Sequence, residues 1–148
     1  VSYEEKIDQL VSTVRTLNFK VRPRATNTPG GDPGAGQLIH SLLAELRDNE
    51  LRASQDVKRV TLGDAFLALE AGRDVVRSNP DEIGTLSLLS EFTTVRESIL
   101  SSVRTYPADQ WESQHETPDG PITMTSVVDG LIGSDKTYVT RIDQAQSG

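Results

Sequence analysis

Apolar residues recur at helical spacing in four separate segments of this chain, and an alternating strand pattern appears in none. Residues 3–17 place Ile7, Leu10, Val11, Val14 and Leu17 on one face, with Glu4, Lys6, Asp8 and Arg15 elsewhere on the wheel. Ser2 stands where an N-cap belongs, and Glu4 and Glu5 suit the positive end of a helix dipole. A second helix is predicted over about 35–55, with Ile39, Leu42, Leu43 and Leu46 as its core stripe. Glu45, Arg47, Asp48 and Arg52 fall on its other faces, and His40 lies at the stripe's edge, about 100° from Ile39. Asn79-Pro-Asp-Glu82 has the form of a third helix start, although Gly84 allows a delay to Thr85. Leu88, Leu89, Phe92, Val95, Ile99 and Val103 then point inward until Pro107 stops the helix. Thr123 is the predicted N-cap of a fourth helix with Val127, Val128, Leu131, Ile132, Val139 and Ile142 along its stripe.

The connections are as informative as the helices. Between Asn18 and Gly36 the periodicity stops among prolines and glycines, and the loop is too long to force helix two beside helix one. Phe66, Leu67 and Leu69 suggest a short helix near 64–71, followed by Val75 and Val76, an excursion expected to cover an open end of a bundle. Trp111, just past the proline stop, is expected to plug the bundle's end. Residues 112–122 read as loop, with Asp119-Gly120 a turn signal. Four such helices predict one all-α domain over residues 1–148, a four-helix bundle of up-and-down or crossover type.

Composition removes several function classes. The chain has no cysteine, which excludes disulfides, thiolate metal sites and thiol nucleophiles, and which a reducing cytoplasm permits. The net charge of −7 disfavours nucleic acid, and the short basic run from Lys20 to Arg24 sits in a Pro-rich segment. No apolar run approaches the roughly 18 residues of a membrane span. The N-terminus is charged and amphipathic, unlike a signal peptide. A cytoplasmic protein with neither nucleic-acid nor membrane partners is the expectation. Glycines 30, 31, 34 and 36 lack the preceding strand and the Lys-Ser/Thr of a phosphate loop. His40 and Ser41 are helix neighbours that face different directions, so they form no dyad. Arg96 is read as an ion-pair partner for an acid on helix four, and Trp111 as packing.

Residues 86–142 resemble the DinB-like (DinB/YfiT) four-helix-bundle superfamily. The resemblance rests on Phe92-Thr-Thr-Val-Arg96, Trp111 past the proline, His115 before Gly120, Thr123-Met-Thr-Ser-Val-Val128 and Leu131-Ile-Gly-Ser-Asp-Lys-Thr-Tyr138. In the first half, Leu38-Ile-His-Ser-Leu-Leu-Ala-Glu45 is similar to the family's helix two, while the usual Trp-Ser ahead of it is replaced by Gly31-Asp-Pro-Gly34. The resemblance implies a divalent metal held by a histidine of helix two and two histidines of a His-Asp-x-x-His motif on the last helix. His40 matches the first, Ser134 stands at the second, Asp135 keeps the aspartate, and Tyr138 stands at the third.

A transition ion in a catalytic site wants about three imidazole or carboxylate ligands, and a neutral serine hydroxyl or a phenol is a poor substitute. No bound metal or other cofactor is therefore expected, although a set of His40, Asp135 and Glu45 is conceivable. The polar positions His40, Ser134 and Tyr138 are expected to converge, either as a residual polar cluster or as the lining of a metal-free ligand pocket. The resulting reading is a non-catalytic or small-ligand-binding relative of the family. Its alternatives are a metal-dependent thiol transferase working with fewer ligands, and a structural module that forms a homodimer.

Overall fold

The computed structural model describes residues 2–63, 65 and 77–147. Four long helices dominate them: α1 (Tyr3–Val21), α2 (Ala35–Leu62), α3 (Thr85–Thr105) and α4 (Met124–Ser147). A short 3-10 turn at Ala108–Gln110 and a hairpin of β1 (His115–Thr117) and β2 (Gly120–Ile122) lie between α3 and α4. α2 packs against α3 and α4, and α1 packs against the same two, so α1 and α2 face each other across the bundle's diagonal. Contacts between α1 and α4 climb both helices together, from Lys6–Asp129 through Thr13–Asp135 to Lys20–Asp143. Those between α2 and α3 do the same, from His40–Thr85 through Arg47–Glu91 to Glu50–Arg96. Asn18 of α1 meets Thr93 while the earlier Leu10 meets the later Arg96, so these pairs run oppositely. The topology is up, down, down, up. The connection from Leu62 to Thr85 therefore returns the chain to the end at which α2 began.

Each helix start has a local cause. The Ser2 hydroxyl accepts from the Glu5 N–H at 3.2 Å, as its capping position predicts. Thr123 and Ser126 cap reciprocally, the Thr123 hydroxyl accepting from Ser126 N–H at 3.0 Å and the Ser126 hydroxyl from Thr123 N–H at 2.9 Å. α3 begins at Thr85, and Gly84 ahead of it has no side chain with which to cap. Asn27 from the distant Pro/Gly loop supplies the oxygen instead, accepting from Ser87 N–H at 3.0 Å. A Cβ on Gly84 would lie 2.3 Å from the Asn27 carbonyl carbon, so only glycine admits this remote cap.

Several boundaries depart from the sequence reading. α1 continues past Leu17 to bury Val21, and α2 continues past Gln55 to bury Val57 and Val60. Residues 112–122 hold a hairpin where a loop was expected, with Thr117 paired to Gly120 across the predicted turn. Arg47 is buried rather than on an outer face, bridging Asp48 and Glu91 at 3.0 Å each. The short helix anticipated around Phe66, Leu67 and Leu69, with the pair Val75 and Val76, lies outside the described residues.

The core has two apolar halves. Leu10, Val57, Ile99, Val103, Met124 and Leu131 belong to one, closed by Trp111, whose ring stacks on Tyr3 at 4.2 Å. Leu17, Leu43, Leu46, Leu89, Phe92 and Ile142 belong to the other. Between them every helix contributes one buried polar residue: Thr13, Glu50, Arg96 and Asp135. This polar layer divides the bundle.

Candidate functional site

Arg96 is the centre of that layer, and every N–H of its guanidinium finds an acceptor. Its Nε and one terminal nitrogen grip the Glu50 carboxylate, the latter at 2.9 Å. Both terminal nitrogens grip Asp135 at 2.8 and 2.9 Å, and one also donates to the Leu10 carbonyl at 3.0 Å. The Thr13 hydroxyl donates to Asp135 at 2.6 Å. Sequence reading anticipated the pairing of Arg96 with a helix-four acid, and it is Asp135. Burial works against the Arg96 charge, but the bonds from Glu50 and Asp135 outweigh it and hold the pKa above the usual arginine value. Burial likewise raises the Glu50 pKa; bonding and charge attraction from Arg96 oppose that rise, and the nearby Asp135 charge adds to it. One cation faces two carboxylates here, with no histidine among them, and Thr13 and Asp135 border a groove of about 400 Å³ between α1 and α4. Within the layer itself these bonds join one bundle helix to another.

The four expected site residues do not meet. His40 is buried at the opposite end from Trp111, where its Nε2–H donates to the Pro80 carbonyl at 2.8 Å and its Nδ1 accepts from the Thr85 hydroxyl at 2.9 Å. A carbonyl only accepts, so the Nε2 tautomer follows, and both ring nitrogens are engaged. The ring also packs against Gly31, where φ is +97° and an added Cβ would lie 2.6 Å from the His40 Cβ. His40 ties three connections together: the Pro/Gly loop, the 79–84 turn and the start of α3. Tyr138 faces a different level of α2, where its hydroxyl accepts from the Asn49 amide at 3.3 Å. Asn49 is nine residues along α2 from His40, or roughly 13 Å at the helical rise. The expected convergence of His40 with Tyr138 is thus not formed. Antiparallel packing of α2 on α4 sets Asn49 at that position.

Asp135 turns into the polar layer, whereas Ser134 turns toward α2. There a groove of about 330 Å³ runs between α2 and α4, with Asn49, Arg52, Ala53 and Asp56 on one wall and Val127, Gly130, Leu131 and Ser134 on the other. Ile122 of the hairpin and Ser126 also line it. The Ser134 hydroxyl is buried and has no partner among the described residues. Sequence reasoning missed Asn49, Arg52, Glu50 and Thr13. For the last two a signal existed, since each interrupts an apolar helical stripe in register.

The divalent metal implied by the resemblance does not fit these residues. His40 has no free nitrogen, Glu45 is exposed, Asp135 is held by Arg96 and Thr13, and Ser134 and Tyr138 are neutral hydroxyls. Among the described residues no group of three or more His, Cys, Asp or Glu side chains is placed to hold an ion. No described helix is long and apolar enough to cross a membrane. Comparison with models of protein families, with curated proteins and with solved structures returns no match.

Proposed function

We propose that this chain is a DinB-like bundle in the cytoplasm that binds a small molecule in the α2/α4 groove without a metal and without catalysis. One observation carries the reading: the Ser134 hydroxyl is buried in the groove wall with no partner among the described residues. An unsatisfied buried hydroxyl costs about 1–3 kcal/mol. A bound molecule that hydrogen-bonds to it offsets that cost, and grooves between bundle helices suit such ligands. The resemblance supports the same place, because Ser134 and Tyr138 stand at the family's ligand positions. Here they face Asn49, a neutral amide, which favours hydrogen bonding over coordination.

Thermal denaturation against a small-molecule collection in the presence of EDTA tests this. At least one compound should raise Tm, and Ser134→Phe, which fills the groove, should abolish the effect while the protein still folds. Stabilisation that requires added zinc or nickel, together with stoichiometric metal binding lost on His40→Ala, contradicts the reading and favours a metal-dependent transferase.

A further inference from the structure

The groove's polar groups indicate what it takes, an inference that rests on the binding role proposed above. Arg52 lies on its α2 wall and forms an ion pair with no carboxylate among the described residues. Its guanidinium donates to the Asn49 side-chain oxygen, and the Asn49 amide in turn donates to Tyr138. Tyr138–Asn49–Arg52 is therefore a chain that orients the cation, leaving N–H groups of Arg52 for another acceptor. The Ser134 hydroxyl has a proton to give as well. Asp56, one turn further on, is already paired with Arg59 at 3.5 Å. Arg52 and Ser134 thus both have donors to offer at the groove. Ser126 also lines it, its hydroxyl bonded to the Thr123 backbone, and Ala53, Val127, Leu131 and Ile122 supply the apolar surface.

Gly130 shapes the same wall. It sits inside α4, an added Cβ would meet nothing within 4 Å among the described residues, and its backbone has no positive φ. Glycine weakens a helix interior relative to alanine, but here it leaves bare backbone that an occupant of the groove can approach closely. Gly133 is equally free of neighbours but does not line the groove, and it provides the control.

We infer that the α2/α4 groove binds a small organic carboxylate, its anionic end on Arg52 and Ser134 and its apolar body against Val127, Leu131 and the bare backbone of Gly130. A planar guanidinium matches a carboxylate in a two-point fork, and the apolar wall selects an organic acid over an inorganic anion.

The test is amide chemical-shift titration of the full chain with three probes of similar size and different charge: benzoate, benzyl alcohol and benzylammonium. Benzoate should shift the groove amides most strongly, and Arg52→Gln should weaken it about tenfold or more. Gly130→Ala should raise Tm yet weaken benzoate, whereas Gly133→Ala should raise Tm and leave benzoate binding unchanged. If the alcohol or the ammonium binds the groove as well as benzoate, or if benzoate binding ignores Arg52→Gln, the carboxylate assignment is overturned while the groove's binding role stands. If no probe shifts the groove amides at millimolar concentration, or benzoate shifts residues elsewhere, both fall. Arg52 is exposed and its substitution should not impair folding, so a negative result reports on binding.

Discussion

Replacing Arg96 by methionine should reveal how much of the bundle depends on its polar layer. The substitution keeps most of the side chain's volume and removes the only cation in the layer. Both oxygens of Glu50, both oxygens of Asp135 and the Leu10 carbonyl lose their bonds to Arg96, and of these bonds to the carboxylates only the Thr13 contact to Asp135 survives. Removing one partner of a buried ion pair costs about 3–5 kcal/mol. Against a total stability of about 5–15 kcal/mol, that is a large fraction. For a chain of this size each kcal/mol lowers Tm by about 2–4 °C, so a fall of about 6–20 °C is expected. The pH dependence carries a sign. In the variant both carboxylates are buried without a counter-charge, and burial favours their neutral form, so the folded state binds more protons than the unfolded one above about pH 4. Stability then falls as pH rises through the raised folded pKa values. The parent has the same slope from Glu50, whose pKa is raised, but with Arg96 opposing it. Calorimetric melts of parent and variant at pH 5 and pH 8 should show a larger gap at pH 8. A loss below about 1 kcal/mol, within the range of an ordinary surface substitution, or one equal at both pH values, would refute the reasoning.

Other outcomes follow from the same geometry. Replacing Glu50, Arg96 and Asp135 together by leucine or methionine should recover most of that loss in urea unfolding, because well-packed apolar groups often match a buried ion cluster. Asn27→Ala should cost about 1 kcal/mol, the worth of a helix cap, as measured by denaturant midpoint. Gly84→Ala should cost more, since it displaces the Asn27 backbone as well as its side chain. Ser134→Ala should leave stability unchanged or raise it by up to about 1–3 kcal/mol, because it removes an unsatisfied buried hydroxyl.

Much of this fold was legible because helix period, caps and proline stops act locally. Ser2, Thr123 and Pro107 mark the ends that the structure shows, and the stripes of all four helices form the core. The interrupting charges at Glu50, Arg96 and Asp135 were visible too, but only Arg96 was read as paired. The helical wheel puts Arg47 off the apolar stripe; its burial depends on Asp48 and on Glu91, a residue of another helix. The three-residue strands were too short to display alternation, although their Asp119-Gly120 turn was recognised. The site was harder. Spacing along α2 and α4 does not say which level of one helix meets which level of the other, and matching His40 to Tyr138 assumed a register nine residues away from the one formed. Asn49 carries no signal in the sequence and Arg52 reads only as an outward charge, because what they face depends on how α4 is laid across them.

That register is measurable. A double-mutant cycle of Asn49→Ala with Tyr138→Phe should return a coupling of about 0.5–1.5 kcal/mol, the value of one hydrogen bond. The same cycle of His40→Ala with Tyr138→Phe should be additive within about 0.3–0.5 kcal/mol, as for separated sites. Strong coupling of Tyr138 to His40, with none to Asn49, would contradict the placement of the groove and the function assigned to it.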